Sequence, residues 1–410
     1  MRRCGTAILR RAHGILGPPT YAMPRLLNFR ILFVLTLLAV LAAVEISREY
    51  QPSFLRPGLR LYAYVANAAD GTVSVVDLVR LSTIAAIAVG PSPMGLRTLN
   101  SQKQVWGVSN EGGYVWVLDA AAGKIAARIS TGAAPLTVEF SPDSRRAYVP
   151  ASGANSLIEI NTSSKEVLAR ARTGRRPWDA RVTPDGQLVL VTDREDSALE
   201  LFDARTLAPV GKIPVASHPE QIVVLPDGAT AFVSSADTNK ISAVDLHRRV
   251  LLANLELAGP PGRMILKPDG GELYVTVPDS HEMEIVNTRT TEVVQSMPVG
   301  LAPLDGTLTS NAEELYISDA AAGRIFAIAI GTRHLNLPVA VGRRPGICRL
   351  DPSGELLLVT NQDSNDLAVM RVRDVQGGPQ AAPGLSIGPL SLLTMVPVGA
   401  HPSDVAILLF

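Results

Sequence analysis

Cysteine is nearly absent from this 410-residue chain: Cys4 lies in an arginine-rich leader and Cys348 stands alone in the body, so no disulfide framework is implied. Missing too are the short strings that announce common chemistries. There is no Gly-x-Ser-x-Gly elbow, no His-Glu-x-x-His pair, no phosphate-binding loop and no Cys-x-x-Cys-His haem attachment. A basic field for nucleic acid is also lacking. Six arginines (Arg2, Arg3, Arg10, Arg11, Arg25, Arg30) precede the first acidic residue, Glu45; without them 32 basic residues face 38 acidic ones, a net −6. Nucleic acid is therefore not an expected partner. Apolar residues make up 47% and charged residues 19%, which argues for a well-buried body and against disorder.

The leader's apolar run, Ile31 to Val44, is 14 residues long, short of the about 20 that a helical membrane span needs. With Arg25 and Arg30 before it and the small residues Ala42 and Ala43 near its end, it reads as the hydrophobic helix of a secretory signal. If Met23 is the true start, the rest is an ordinary signal; from Met1, the longer basic segment favours an uncleaved anchor with a cytoplasmic N-terminus. A buried core helix is the plainer alternative. Both export readings send the remainder to the periplasm or the exterior, with the membrane as a partner if the anchor stays. The expected organisation is a basic leader at 1–30, signal or anchor at 31–46, a spacer with Pro52 and Pro57 at 47–60, and the body at 61–410.

What the body has in abundance is register. Proline recurs at Pro93, Pro135, Pro177, Pro219, Pro261, Pro303 and Pro345, each 42 residues after the last. A second ladder with the same step runs through Pro142, Pro184, Pro226, Pro268, Ser310 and Pro352. Only tandem copies of one structural unit hold such spacing. In one copy, Pro219 to Val224 leads to the turn Pro226-Asp227-Gly228, then to apolar segments at 231–235, 241–246 and 250–257. Pro fixes φ and Gly accepts a positive one, so the turn is tight. Four short strands per unit, with no helical period, make one propeller blade, and nearly all-apolar strands such as Tyr114 to Leu118 suit burial on both faces.

Leu273-Tyr274-Val275-Thr276, Leu315-Tyr316-Ile317-Ser318 and Leu358-Val359-Thr360-Asn361 resemble the YVTN family of β-propeller repeats, as do Thr72 to Asp77 and Pro298-Val299-Gly300. The resemblance covers roughly 61–410. It implies an all-β propeller; similar propellers occur in lactonases and in the haem d1 domain of nitrite reductases. The chain enters at Leu61 without an opening strand and ends on Pro402 to Phe410, a strand with nothing after it. The last strand is thus expected to complete the first blade and close the ring. This count gives eight blades, against the seven of most relatives; a Gly/Pro-rich insertion from Asp374 to Leu390 lengthens the final step.

Site candidates follow from the ladder. The residues before the prolines, among them Arg176, His218, Arg344 and His401, fall in loops around one end of the channel; Gly-Arg-Arg-Pro occurs twice, bringing Arg175 and Arg343. With eight blades Arg176 faces Arg344 and His218 faces His401. Two positions after each proline come Asp179, Arg263, Asp305 and Asp404. Guanidinium forks on such a rim suit an anion or carboxylate; solvated repeat loops, or the relic of a four-blade duplication, explain the same charges without a ligand. A metal reading uses Asp193, Glu195, Asp196, Asp237, Asp279, His281, Asp319 and Asp363, without ligand-type spacing. Trp178 either lines the mouth or, as the simpler expectation, packs between blades, and Cys348 belongs to the core.

The function these residues favour is a non-catalytic module that binds a protein, a peptide or a small anionic ligand on the channel rim. A lactonase-like hydrolase using a divalent metal is the alternative, and a redox or haem-binding propeller, with His218 and His401 toward iron, is the second.

Overall fold

The computed structural model describes residues 60–373 and 389–410. The leader, the apolar segment, residues 47–59 of the spacer and residues 374–388 of the insertion lie outside the described residues, and with them the hydrophobic helix and the signal-or-anchor question. No helix among the described residues is long and apolar enough to cross a membrane.

The described residues form eight antiparallel sheets, the blades, each numbered here by its innermost strand. Blade 1 joins the two ends of the chain. Its innermost strand, Pro402–Leu409, pairs with Leu61–Asn67 from Leu61 opposite Leu409 to Asn67 opposite Pro402. Blades 2 to 8 begin at Pro93–Leu99, Glu139–Phe140, Pro177–Val182, Pro219–Val224, Met264–Leu266, Pro303–Leu308 and Pro345–Leu350. The count is eight, not seven.

Burial explains why the strands are apolar throughout. The core divides into eight clusters, one at each junction between neighbouring blades, and the junction of blades 8 and 1 is as well formed as the others. Alternate residues of a strand serve opposite neighbours: in blade 7, Leu315 and Ile317 pack toward blade 6, whereas Tyr316 packs toward blade 8. A polar residue on either face would be stranded between sheets. Cys348 sits in the cluster of blades 7 and 8, as expected, and burial pushes its thiol pKa far up, leaving it inert.

Proline accounts for the irregular blades. Pro260 and Pro261 lack N–H donors, and the inner strand of blade 6 starts only at Met264. In blade 7 the outer position is filled by two short pieces, His334–Leu335 and Val339–Ala340, separated at Pro338. Leu390, assigned to the insertion by sequence, instead opens the outer strand of blade 8.

The Thr or Ser of the repeat motif has a definite task. In blades 4, 5, 7 and 8 the inner strand slips register just after its proline, leaving an N–H off the ladder. The hydroxyl at the end of the second strand accepts it: Asp179 N donates to Thr192 at 3.0 Å, Gln221 N to Ser234 at 3.0 Å, Asp305 N to Ser318 at 3.1 Å and Ile347 N to Thr360 at 3.1 Å. Thr192 and Ser318 also donate to the next blade, to the carbonyls of Glu220 at 2.9 Å and Gly346 at 2.8 Å. The motif hydroxyl therefore repairs a bulge and ties adjacent blades together.

Candidate functional site: the axial cavity

The residue before each proline has a backbone role. Ser92, Ala134, Arg176, His218, Arg344 and His401 all take positive φ, between 47° and 56°. Their carbonyls accept N–H groups from the loop between the second and third strands, as Arg194 N donates to Arg176 and Gln362 N to Arg344, both at 3.1 Å. The sharp turn is thus held from outside, and no side chain at that position is among those lining the axial cavity described below.

The rim candidates sort accordingly. Arg175 clamps its neighbouring loop, with Nε 2.7 Å from Asp196 and Nη2 3.0 Å from the Glu195 carbonyl. Arg343 repeats that clamp on the Asp363 carbonyl at 2.9 Å. Arg176 pairs with Glu195 at 3.1 Å, and His218 with Asp237. Arg344 and His401 are exposed, and no acidic partner of either occurs among the described residues. None of these six lines the cavity on the axis.

That cavity, about 520 Å³, is built from the innermost strands, and the other four candidates line it: Asp179, Arg263, Asp305 and Asp404. The three aspartates are buried and act as staples between blades. Asp179 accepts the Ile222 N–H at 3.1 Å, Asp305 that of Cys348 at 2.9 Å and Asp404 that of Leu96 at 2.8 Å, each from the next inner strand. Gln221 does the same for Met264 at 2.9 Å. A carboxylate fixed by a backbone donor is held in one orientation.

Sequence reasoning missed the deeper tier, four residues after the proline, which holds Arg97, Arg181 and Arg349 on blades 2, 4 and 8. Their spacing is a multiple of the repeat, and that was the available signal. Charges alternate from blade to blade: Arg349, Asp404, Arg97, Glu139 and Arg181 on blades 8, 1, 2, 3 and 4, with Arg263 and Asp305 on blades 6 and 7; all but Glu139, which reaches Arg181 from beside the cavity, line it. Arg181 pairs with Glu139 at 2.9 Å and Asp179 at 3.3 Å; Arg349 with Asp305 at 3.2 Å; Arg263 with Asp305 at 3.1 Å. Arg97 is the exception. Its Nη1 donates to its neighbour's carbonyl, Leu96 O, at 2.9 Å, and no carboxylate lies within ion-pair distance. Burial, then the Arg181 charge, lowers its pKa, only partly offset by Asp404 and Glu139. For Arg349 burial acts in the same sense, but Asp305 and Asp404 outweigh it and the pKa rises.

Trp178 does not pack between blades. It lines the cavity mouth, half-buried, with the Arg194 guanidinium 4.7 Å from its ring centroid and Arg194 paired to Glu220 at 3.2 Å. A cation over the ring face orients the indole at the opening instead of between sheets.

The residues of the metal reading are spread over the loops of separate blades, and among the described residues no group of three or more His, Cys, Asp or Glu could hold a metal ion. Asp319 accepts N–H bonds from Leu301 and Ala302 at 2.8 and 2.9 Å, a loop-holding role. Asp193 occupies the same rung in blade 4, fully buried, but meets Lys212 Nζ at 3.4 Å in place of backbone donors. Burial, then the charge of Glu200, pushes its carboxyl pKa up to about 7 against the pull of Lys212. The native state then binds more protons than the unfolded chain between about pH 4 and 7, so this group's contribution to stability is lost as pH rises through that window. Urea unfolding at pH 5, 6, 7 and 8 is expected to show the wild-type decline flattened in Asp193→Asn; equal slopes would overturn the assignment.

An eight-bladed ring with a polar axial cavity defines the class: a β-propeller with a small-molecule-sized chamber at its centre. The chain belongs to the YNCE-like beta-propeller family, whose model matches residues 109–313, half of the sequence. No curated protein matches it. Among solved structures it resembles the dihydro-heme d1 dehydrogenase NirN in complex with DHE, at 15% identity and TM-score 0.68 over 87% of this chain and 76% of that one. It also resembles Kuenenia stuttgartiensis hydrazine synthase, at 18% identity and TM-score 0.57 over 68% and 95%. A functionally unknown protein from Desulfotomaculum acetoxidans DSM 771 matches at 15% identity and TM-score 0.55, again over 68% and 95%. At these identities the likeness is one of fold.

Proposed function

We propose that the protein is an exported, non-catalytic binding module that takes a small anion in its axial cavity. The observation that carries this reading is Arg97, the one cavity arginine without a carboxylate partner among the described residues. A guanidinium left unpaired in a confined, partly desolvated chamber gains a charge-assisted contact when an anion arrives. The cavity volume falls in the range of small-molecule sites, about 300–1,000 Å³. The other charged groups on the wall are already matched, and the aspartates hold backbone donors, which favours recognition over proton transfer. Export rests on the arginine-flanked apolar segment, as does membrane attachment if that segment is retained.

The two rim histidines do not line the cavity, and its lining contains no histidine or cysteine, so nothing there favours the haem reading. A protein or peptide on the outer rim is a second reading, favoured by the exposed, acid-free Arg344 and His401. Thermal-shift measurements with acetate, succinate and phosphate test the first reading. Stabilisation is expected in wild type and about ten- to a hundredfold weaker binding in Arg97→Gln. Anion binding that survives Arg97→Gln but vanishes in Arg176→Ala/Arg344→Ala would transfer the site to the rim.

A further inference from the structure

The mouth of the cavity is lopsided in a way that says what kind of anion it takes. One residue after each proline, blades 2, 3 and 4 present Met94, Leu136 and Trp178 in succession, an unbroken apolar arc. Across the opening, blades 6, 8 and 1 carry the small residues Gly262, Gly346 and Ser403 at the same rung; Leu304 of blade 7 stands singly between two glycines, and Glu220 of blade 5 ends the arc. Met94 also leans on the core cluster of blades 2 and 3, so the arc is supported from behind.

Blade 2 has glycine at the rung where blades 1, 4 and 7 carry aspartate, and Gly95 lies directly before the Leu96-Arg97 step. Its φ is +61°, and a Cβ there would stand 2.7 Å from the Leu136 carbonyl oxygen. The position is thus held to glycine by the close approach of the blade 3 backbone, and Arg97 is the next side chain that blade 2 adds to the cavity lining after Met94.

On the reading that the cavity binds an anion, we propose that its ligand is an amphiphilic carboxylate: a flat aromatic or bulky aliphatic body held against Met94, Leu136 and Trp178, with the carboxylate on Arg97 of the same cavity lining. Burial of the body supplies apolar contact area, and the guanidinium supplies the charge-assisted hydrogen bonds. Stacking on Trp178 favours a planar body over a chain of similar size.

Titration calorimetry on the purified exported protein, with 1-naphthoate, acetate and the uncharged 2-naphthol as probes, tests this. Tryptophan fluorescence serves as a second readout, because Trp106 and Trp116 are fully buried and only Trp178 faces the mouth. Expected are 1-naphthoate binding at least about tenfold tighter than acetate, quenching of Trp178, and loss of most of that affinity in both Arg97→Gln and Leu136→Asp. Unchanged melting of Arg97→Gln would show that the loss is not unfolding. Acetate and 1-naphthoate binding equally well, both through Arg97, would overturn the amphiphile while leaving the anion reading intact. Equal binding of 2-naphthol and 1-naphthoate, indifferent to Arg97→Gln, would overturn the role of the anion; no binding of any probe would overturn both.

Discussion

Deleting Pro402–Phe410 is expected to abolish the native ring. This segment is the innermost strand of blade 1, hydrogen-bonded along Leu61–Asn67. Val405 belongs to the cluster facing blade 8, and Ala406 and Leu408 to the one facing blade 2, so both junctions open together. Asp404 is lost from Leu96, and the Ser403 hydroxyl from the Pro93 carbonyl, 2.9 Å away in the native fold. The strand Leu61–Asn67 then becomes an unpaired apolar edge, a template for aggregation. Such losses exceed the about 5–15 kcal/mol that separates folded from unfolded domains. Near-UV circular dichroism and limited proteolysis should show no cooperative native state. A soluble deletion variant melting at the wild-type midpoint would disprove the closure argument.

Asp305→Ala is expected to be the most costly single substitution in the channel, at about 3–5 kcal/mol. Asp305 is 3% exposed, and its carboxylate receives the Cys348 N–H together with the guanidiniums of Arg349 and Arg263. Removing it leaves Arg263 without its carboxylate, leaves Arg349 only the longer contact to Asp404 at 3.9 Å, and strands a backbone donor. Gln221→Ala removes a neutral staple of the same geometry and should cost about 1–2 kcal/mol. Urea titration at constant pH measures both. A loss below about 1 kcal/mol for Asp305→Ala, or one no larger than that of Gln221→Ala, would show that the charge pairs add nothing to the staple.

Several features of this molecule could be read from the chain alone. Blade number and the placement of Arg176, His218 and Arg344 in equivalent loops follow from a step of 42 residues, and ring closure from an opening unit that lacks its inner strand and a last strand, Pro402 to Phe410, that supplies it. A fixed unit length makes every rung equivalent, and local turn chemistry then repeats with it. The same ladder carried Arg97, Arg181 and Arg349, but nothing in the spacing alone marked their rung as facing the axis.

That was decided by tertiary structure. The register slip after the proline breaks simple alternation, so whether a residue faces the channel, a neighbouring blade or solvent depends on a bulge fixed by Thr192, Ser234, Ser318 or Thr360 from the adjacent strand. The stapling role of Asp179, Asp305 and Asp404 was not legible in the chain, because their donors, Ile222, Cys348 and Leu96, belong to the next blade. Trp178 was turned to the mouth by Arg194. Sequence periodicity determines which positions are equivalent within the repeat; charge pairing across blades, which joins residues far apart in the chain, decides which arginine is left free.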